Sequence, residues 1–475
     1  MNKVLDRNRT PLMKEEWNLE LEKMTGSPFA PKWNAIIGDR IGEEEFLFVT
    51  SFQKDLLHAK EHSLYQTKGT ILPFIESYLN TSDFFKKQLQ GIPWKQNFEL
   101  IPFMNRDDLQ TKITEIIPND VNLKEIVINP TSGTTGKPIL APNHSKAIGC
   151  YVPLIEFSVE RFGVRPIHSP KSTFAIQLCY QENTIVYATC HSLAGGSKFA
   201  KINIHPNGWK KPSDLQNFLT ESSPQILTGD PYAFESAMQM GIHYKPEAIH
   251  STALELTPAL RTRLSAYFQC PVINFYSLNE TGPIAYSCPN EPEWMHLLPH
   301  DLYVEIISNT TGNPVPTGNV GEIVLTGGRN PFIPLLRYQT GDQGEIQYGP
   351  CVCGDHFPRL RLLSGRKPVY FQKQNGEIVN PIDVARILRK NPIIYQFQVE
   401  QTNANEWVCR LSLEETTRGN ESIWENEKKA IQVELTSLFG EGSVVHIHTD
   451  FPLDGKKQIA FLNSYQRKKE QEAKS

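Results

Sequence analysis

Nowhere in this 475-residue chain do 18 consecutive apolar residues occur, which argues against a membrane-spanning helix. Met1 to Glu22 has no apolar core and is studded with Lys, Arg, Glu and Asp, so a signal peptide is not expected and a cytoplasmic protein is. Neither sign of charge dominates. With 48 basic against 52 acidic side chains the net charge is −4, which gives no electrostatic reason for a nucleic-acid or anionic-membrane partner. There is no internal repeat and no low-complexity segment. Eight cysteines in a chain of this size without a secretion signal read as thiols or metal ligands, not as a disulfide framework. What is present, 39% hydrophobic and 21% charged residues, describes a soluble globular protein too long for one ordinary core.

The pattern along the chain predicts an α/β fold. Helical periodicity marks Pro11 to Met24, Glu43 to Tyr65, Ile71 to Asn80 and Ser82 to Leu89. Asn105 caps a helix expected to run to about Ile117, and His144 to Phe162 reads as one helix. Short β-rich runs (Thr173 to Leu178, Thr184 to Thr189, Gln225 to Gly229, Ala248 to Leu254, Pro271 to Tyr276) then alternate with helices at Leu215 to Glu221, Tyr232 to Met240 and Pro258 to Phe268. That alternation predicts a largely parallel sheet. From Leu302 the texture changes to a small antiparallel β unit, and beyond Gly365 to a small α+β domain with helices at Pro381 to Lys390 and Ser422 to Phe439. The expected organisation is a large N-terminal domain, 1–365, of α/β subdomains plus the small β unit, followed by a mobile C-terminal domain, 366–475.

One stretch consists only of hydroxyl residues, glycines and a lysine: Thr131-Ser132-Gly133-Thr134-Thr135-Gly136-Lys137, before Pro138. Glycines let several backbone N–H groups converge, hydroxyls add donors, and lysine adds positive charge, a combination suited to a polyphosphate. It is not a Walker A loop, because Thr131 stands where the first glycine belongs and Pro138 where Ser or Thr is needed. The plain alternative is a glycine-rich hairpin loop.

Three further constellations carry polar chemistry. Tyr276-Ser277-Leu278-Asn279-Glu280 ends a strand with an aromatic and a carboxylate, suited to stacking on a base and to holding magnesium. Arg337-Tyr338-Gln339-Thr340-Gly341-Asp342 puts a carboxylate after a glycine turn, where it can accept from a ribose diol. Asp454-Gly455-Lys456 presents a lysine on a turn. Each has a bland alternative: core packing, an ordinary turn and a solvated lysine.

Taken together, in this order and at these spacings, these motifs and Gly365-Arg366 resemble the acyl-adenylate-forming (AMP-binding) superfamily. The finer texture resembles its phenylacetate–coenzyme A ligase branch, through Tyr276-x-Leu278-x-Glu280, the run Leu227 to Ala233, and Cys351-Val352-Cys353-Gly354 with Arg359 downstream. The resemblance covers roughly residue 95 to the end. It implies that Thr131 to Lys137 cradle the phosphates of ATP, that Glu280 holds Mg²⁺ with Tyr276 near the adenine, and that Asp342 takes the ribose hydroxyls with Arg366 beside it. Lys456 would bridge the substrate carboxylate and the α-phosphate. The implied activity converts a carboxylic acid into an acyl-AMP and passes it to coenzyme A; Tyr232, Phe234 and Phe275 suggest an aromatic-friendly pocket for an aryl acid, with core packing as the equal alternative. Dimerisation is common in the branch and leaves a homodimer open.

Some members of the branch look as if they carry a structural zinc on Cys-x7-His plus Cys-x-Cys. Cys288, His296, Cys351 and Cys353 have that spacing, with His300 as a competing histidine; the alternative is buried thiols and a surface histidine. Three positions depart from the family pattern. The hinge Gly365-Arg366-Lys367-Pro368-Val369 lacks an acidic pair, Gln374 to Ile378 only approximates the segment near the pantetheine tunnel, and Ile459 replaces an arginine. All three bear on the second half-reaction. The rival expectations are therefore delivery to a carrier-protein thiol or an amine and, in a different class, a non-catalytic nucleotide-binding protein.

Overall fold

The computed structural model describes residues 8–130, 140–299, 301–364, 369, 371–391, 394–413, 421–449 and 461–466. They group into two compact units. The first takes Met1–Asn129, Leu140–Cys179 and Ile185–Lys367; the second takes Pro130–Ile139, Tyr180–Thr184 and Pro368–Ser475. Among the described residues no helix is long and apolar enough to cross a membrane.

A short ladder, β1 (Ile126–Pro130) with β2 (Leu140–His144), flanks residues 131–139. The first unit is then built on one twelve-stranded sheet. Its parallel part comprises β3 (Thr173–Cys179), β5 (Ser197–Asn203), β6 (Pro224–Gly229), β7 (Ala248–Ser251) and β8 (Val272–Leu278), with β4 (Tyr187–His191) antiparallel at one edge. These strands are largely buried on both faces, as helices Asp214–Ser222, Pro231–Gln239 and Pro258–Phe268 make the crossovers between them. Two of these three helices start on a side-chain cap, whereas Asp214–Ser222 has none. The Thr257 hydroxyl accepts from the Leu260 N–H, with Pro258 at the first helical position, where its missing N–H costs nothing.

Asp230 caps Pro231–Gln239 in the same way, accepting from Ala233 N–H at 2.8 Å, yet burial pushes its carboxyl up to about 6. A folded-state pKa above the unfolded value means that the folded chain binds the extra proton, so stability falls as pH rises from about 4 to 6. Asp230→Asn keeps an N-cap oxygen and removes that penalty. The side chain keeps some access to solvent, so the expected gain is about 1–2 kcal/mol at pH 7.5, vanishing at pH 4. Urea unfolding at the two pH values measures it, and an equal effect at both would show that the charge is not its source.

The antiparallel part continues from β8 through β9 (Gly282–Ser287), β10 (Met295–Leu297), β14 (Arg359–Ser364), β13 (Leu335–Gln347) and β12 (Gly321–Gly327) to β11 (Leu302–Ile307). The β unit expected after Leu302 is thus a continuation of the main sheet. Two helices expected to be continuous are broken. The stretch from Asn105 divides into Arg106–Thr111 and Ile113–Ile116, and the stretch from His144 into Ser145–Gly149 and Tyr151–Glu160. In the second case Pro153 lies in the first turn of the new helix, where an uninterrupted helix would set its ring against the carbonyl of Gly149. Ala248 to Leu254 is strand only to Ser251.

In the second unit a four-stranded sheet has the order β19 (Val444–His448), β18 (Glu406–Leu413), β17 (Ile394–Asn403), β20 (Phe461–Asn463), after a small pair β15 (Phe371–Gln372) and β16 (Ile378–Val379). Helices Pro381–Arg389 and Glu421–Phe439 pack on it, and the buried Trp407 stacks on Phe439 with ring centroids 4.3 Å apart.

Candidate functional site

The parallel strand β8 ends at Leu278 and the chain turns through Asn279-Glu280-Thr281 into β9. Gly282 sits at φ +73°, and a Cβ there would lie 2.4 Å from the Tyr151 ring, so the turn requires glycine twice over. Glu280 is consequently held at the carboxyl end of the parallel sheet, only 7% exposed.

Thr340-Gly341-Asp342 is not a hairpin turn but an irregularity within the thirteen-residue β13. Glu322 of β12 pairs with Gln343, whereas Val324 pairs with Gln339, so β13 carries surplus residues at this point. Gly341 takes φ +75°, its N–H donates to Glu322 Oε1 at 3.0 Å, and the Thr340 hydroxyl donates to the Ile323 carbonyl. The bulge aims Asp342 away from its ladder.

The two motifs then interlock. Tyr276 donates its hydroxyl to Asp342 Oδ2 at 3.0 Å, and Tyr338 donates to Glu280 Oε1 at 2.9 Å. Each motif thus supplies a tyrosine and, four residues later, a carboxylate, and each tyrosine takes the other motif's carboxylate. Burial, reinforced by the Asp342 charge, holds the Tyr276 phenol well above its ordinary pKa, so it remains a donor.

Arg337, 1% exposed, anchors this arrangement. Its guanidinium makes two 3.1 Å bonds to the Glu305 carboxylate and donates to the carbonyls of Glu99 (2.7 Å) and Ile101 (2.9 Å), while lying over the Phe103 ring. Its backbone is left-handed, φ +45°, which a non-glycine residue adopts only when its surroundings over-determine it. Glu305→Ala strands this guanidinium and is expected to cost about 3–5 kcal/mol in chemical unfolding. An Arg337→Met, Glu305→Ala double variant is expected to be less destabilised than the sum of the singles; simple additivity would deny the pair its role.

A second cluster lies at the far ends of β9, β10 and β14. Cys288, His296, Cys351 and Cys353 place one donor atom each within 4.8 Å of all the others. Cys288 Sγ lies 3.6 Å from Cys351 Sγ, and Cys353 Sγ lies 3.3 Å from His296 Nε2. A tetrahedral zinc with ordinary bond lengths would set such edges at about 3.8 and 3.5 Å, so the donor set fits that ion. The surroundings suit it as well. The Glu291 N–H points at Cys288 Sγ (3.4 Å), Arg359 Nη1 lies 3.6 Å from Cys351 Sγ, and burial lowers the His296 pKa, which favours the neutral imidazole. Asp355 backs the cluster: one of its oxygens takes the Tyr286 hydroxyl at 2.8 Å and faces both Arg161 (3.1 Å) and His296 Nδ1 (3.9 Å). His58, Glu61 and His62 form a second donor group, exposed on the helix Glu43–His62.

The model of the AMP-binding enzyme family matches residues 97–330, a span that includes Glu280 and its turn. The chain belongs to the AMP-binding enzymes. This AMP-binding enzyme is 23% identical to a phenylacetate–coenzyme A ligase of Thermus thermophilus, over 62% of its own length and 66% of that protein's. It is 22% identical to protein CapK of Staphylococcus aureus, covering 77% of this chain and 80% of that one, and 22% identical to a phenylacetate–coenzyme A ligase of Aromatoleum evansii, covering 69% and 75%. These relatives place it in the phenylacetate–coenzyme A ligase-like branch. Among solved structures, a 2-hydroxyisobutyryl-CoA ligase complex in the thioesterification state superposes with a TM-score of 0.57 at 15% identity, covering 90% of this chain and 92% of that one, which shows a shared fold.

Of the residues singled out in the sequence of this AMP-binding enzyme, Tyr276, Glu280 and Asp342 are brought together, and so are the four donors of the cysteine–histidine cluster. Thr131 to Lys137, Arg366 and Lys456, and the competing His300, lie outside the described residues. Sequence reasoning missed Tyr338 and the Arg337–Glu305 pair. The signal for Tyr338 was there: it precedes Asp342 by four positions, just as Tyr276 precedes Glu280.

Proposed function

We propose that this enzyme activates a carboxylic acid with ATP and passes the acyl group to coenzyme A. A substrate carboxylate oxygen bonds to the α-phosphorus and pyrophosphate leaves; the thiol sulfur then bonds to the acyl carbon, and AMP leaves as the C–O bond breaks. The observation that carries this reading is the crossed set of two tyrosines and two carboxylates at the carboxyl end of β8, in a chain of the AMP-binding family. Both reactants of the first step are anions, so catalysis needs positioning and positive charge more than a general base.

In this reading Thr131 to Lys137 hold the β- and γ-phosphates as leaving group, and Asp342 accepts from the ribose with Arg366 beside it. Tyr276 lies against the adenine. Glu280, whose second oxygen remains for a cation, would hold Mg²⁺, which when bound neutralises phosphate charge. Lys456 would bridge the carboxylate and the α-phosphate, carried there by residues 366–475 acting as a lid. Cys288, His296, Cys351 and Cys353 would hold a structural zinc. The reaction as written draws on the residues of one chain, and a homodimer would be compatible with it.

The departures at Lys367, Pro368 and Ile459 favour one further reading, in which a carrier-protein thiol or an amine takes the place of coenzyme A. Pyrophosphate release over a panel of aryl, hydroxy, fatty and amino acids identifies the acid. AMP release with and without coenzyme A separates the acceptors: the leading reading expects coenzyme A to raise turnover at least tenfold, and no response would favour the other acceptors.

A further inference from the structure

We infer that Tyr338 is the positioning residue that orients Glu280 toward the metal–nucleotide, and that Tyr276 plays no such part. This rests on the ATP-dependent reading above. The phenol of Tyr338 meets Glu280 Oε1 at 2.9 Å, and both side chains are buried, at 2% and 7% exposure. An ionised carboxylate has two oxygens; fixing one leaves the other with a defined direction, which a free carboxylate on a turn lacks.

The donor itself cannot drift. Tyr338 pairs with Leu325 of β12 on one side and bridges Met104 on the other. Its neighbours are tied through the Gln339 N–H to the Met104 carbonyl at 2.8 Å and the Met104 N–H to the Arg337 carbonyl at 3.2 Å. The residue before it is Arg337, locked in its left-handed backbone by the buried Glu305 pair. Glu280 by contrast sits in a turn between strands, held there by short-range contacts such as Thr281 N–H to the Leu278 carbonyl. The rigid partner therefore orients the looser one. The other crossed pair is laid out alike, with Tyr276 on β8 beside a register shift at Tyr276/Ser277 and Asp342 on the bulge, but its phenol meets Asp342 and not Glu280. A ribose diol needs the Asp342 oxygens, so the Tyr276 bond is one that nucleotide must displace or share.

Tyr338→Phe keeps the ring and removes only the donor. The test is calorimetric ATP binding by the full chain, once with excess Mg²⁺ and once with EDTA. Wild type is expected to bind ATP more tightly with Mg²⁺. Tyr338→Phe is expected to lose about tenfold of that metal-dependent gain, the scale of one charge-assisted hydrogen bond, with metal-free affinity within twofold of wild type. Glu280→Gln loses the gain as well, and the double variant loses no more than Glu280→Gln alone. Tyr276→Phe, whose phenol meets Asp342 in the nucleotide site, is expected to change ATP affinity by the same factor with and without Mg²⁺. A Tyr338→Phe protein that keeps the whole gain, or that loses affinity equally with and without Mg²⁺, overturns the assignment. If wild type binds no ATP under either condition, the nucleotide reading falls together with it; a normal wild type with an indifferent Tyr338→Phe sinks the positioning role alone.

Discussion

Replacing Lys456 by alanine is expected to abolish acyl-adenylate formation while ATP still binds within a few-fold of wild type. The reasoning is electrostatic. As the carboxylate approaches the α-phosphate, two anions must share a space from which water is being excluded, and the attacking and leaving oxygens both carry charge. Deleting one preorganised donor to developing charge typically removes about 10²–10³ in kcat. Ground-state ATP is held elsewhere in this reading, by Thr131 to Lys137 and Asp342, so its binding is spared. Pyrophosphate exchange measures the loss and calorimetry the retained binding. The uncharged Lys456→Met should behave like alanine, and Lys456→Arg should recover little, because a planar guanidinium cannot replace a point-like ammonium in a tight site. Acyl-AMP formed at the wild-type rate in Lys456→Ala would remove the residue from its role.

The second large effect concerns the cysteine–histidine cluster. Cys351→Ser is expected to lose one equivalent of zinc per chain and to lower the melting temperature by about 10 °C or more, because metal bound only by the folded state contributes its binding energy to folding. In the metal-free chain burial pushes the Cys288 thiol up to about 12, so it would remain protonated and contribute only as a small apolar group. Ligation by a dication is what would make thiolates tolerable there, with Arg359 and Arg161 balancing the residual negative charge. Cys270→Ala removes a buried thiol outside the cluster and should keep the metal. Metal analysis by plasma emission and a thermal scan with and without a strong chelator decide the matter. A metal-free wild type, or a Cys351→Ser protein that melts with it, would refute the assignment.

Much of this molecule could be read from its chain because local signals and tertiary structure agree. The parallel strands ending at Gly229 and Leu278 follow from apolar runs bounded by capping residues such as Asp230 and Thr257. The cysteine–histidine set is expected from the family resemblance, and the fold does gather Cys288, His296, Cys351 and Cys353, with donor atoms within 4.8 Å of one another. What escaped were features that exist only between distant segments. β13 looked like a turn because Gly341 breaks its alternation, and only Glu322, reaching across from β12, shows why a strand tolerates glycine there. The Tyr338–Glu280 bond joins residues 58 positions apart, so the repeated four-residue spacing marks the two tyrosines but not which carboxylate each one meets. The break near Gly149 could have been anticipated from Pro153, whose ring belongs in a first turn.

One consequence of the strand order concerns curvature. β8 and β13 are separated in the sheet by β9, β10 and β14, four ladder spacings, which in a flat sheet would be about 19 Å. Tyrosines nevertheless bridge the β8 end to β13 twice, within 3.0 Å. The sheet must therefore roll toward itself here, as a barrel does, but the gap is closed by four side chains and not by a backbone ladder. A seam of that kind can part and re-form without unpairing a single strand, which a hydrogen-bonded barrel wall cannot do.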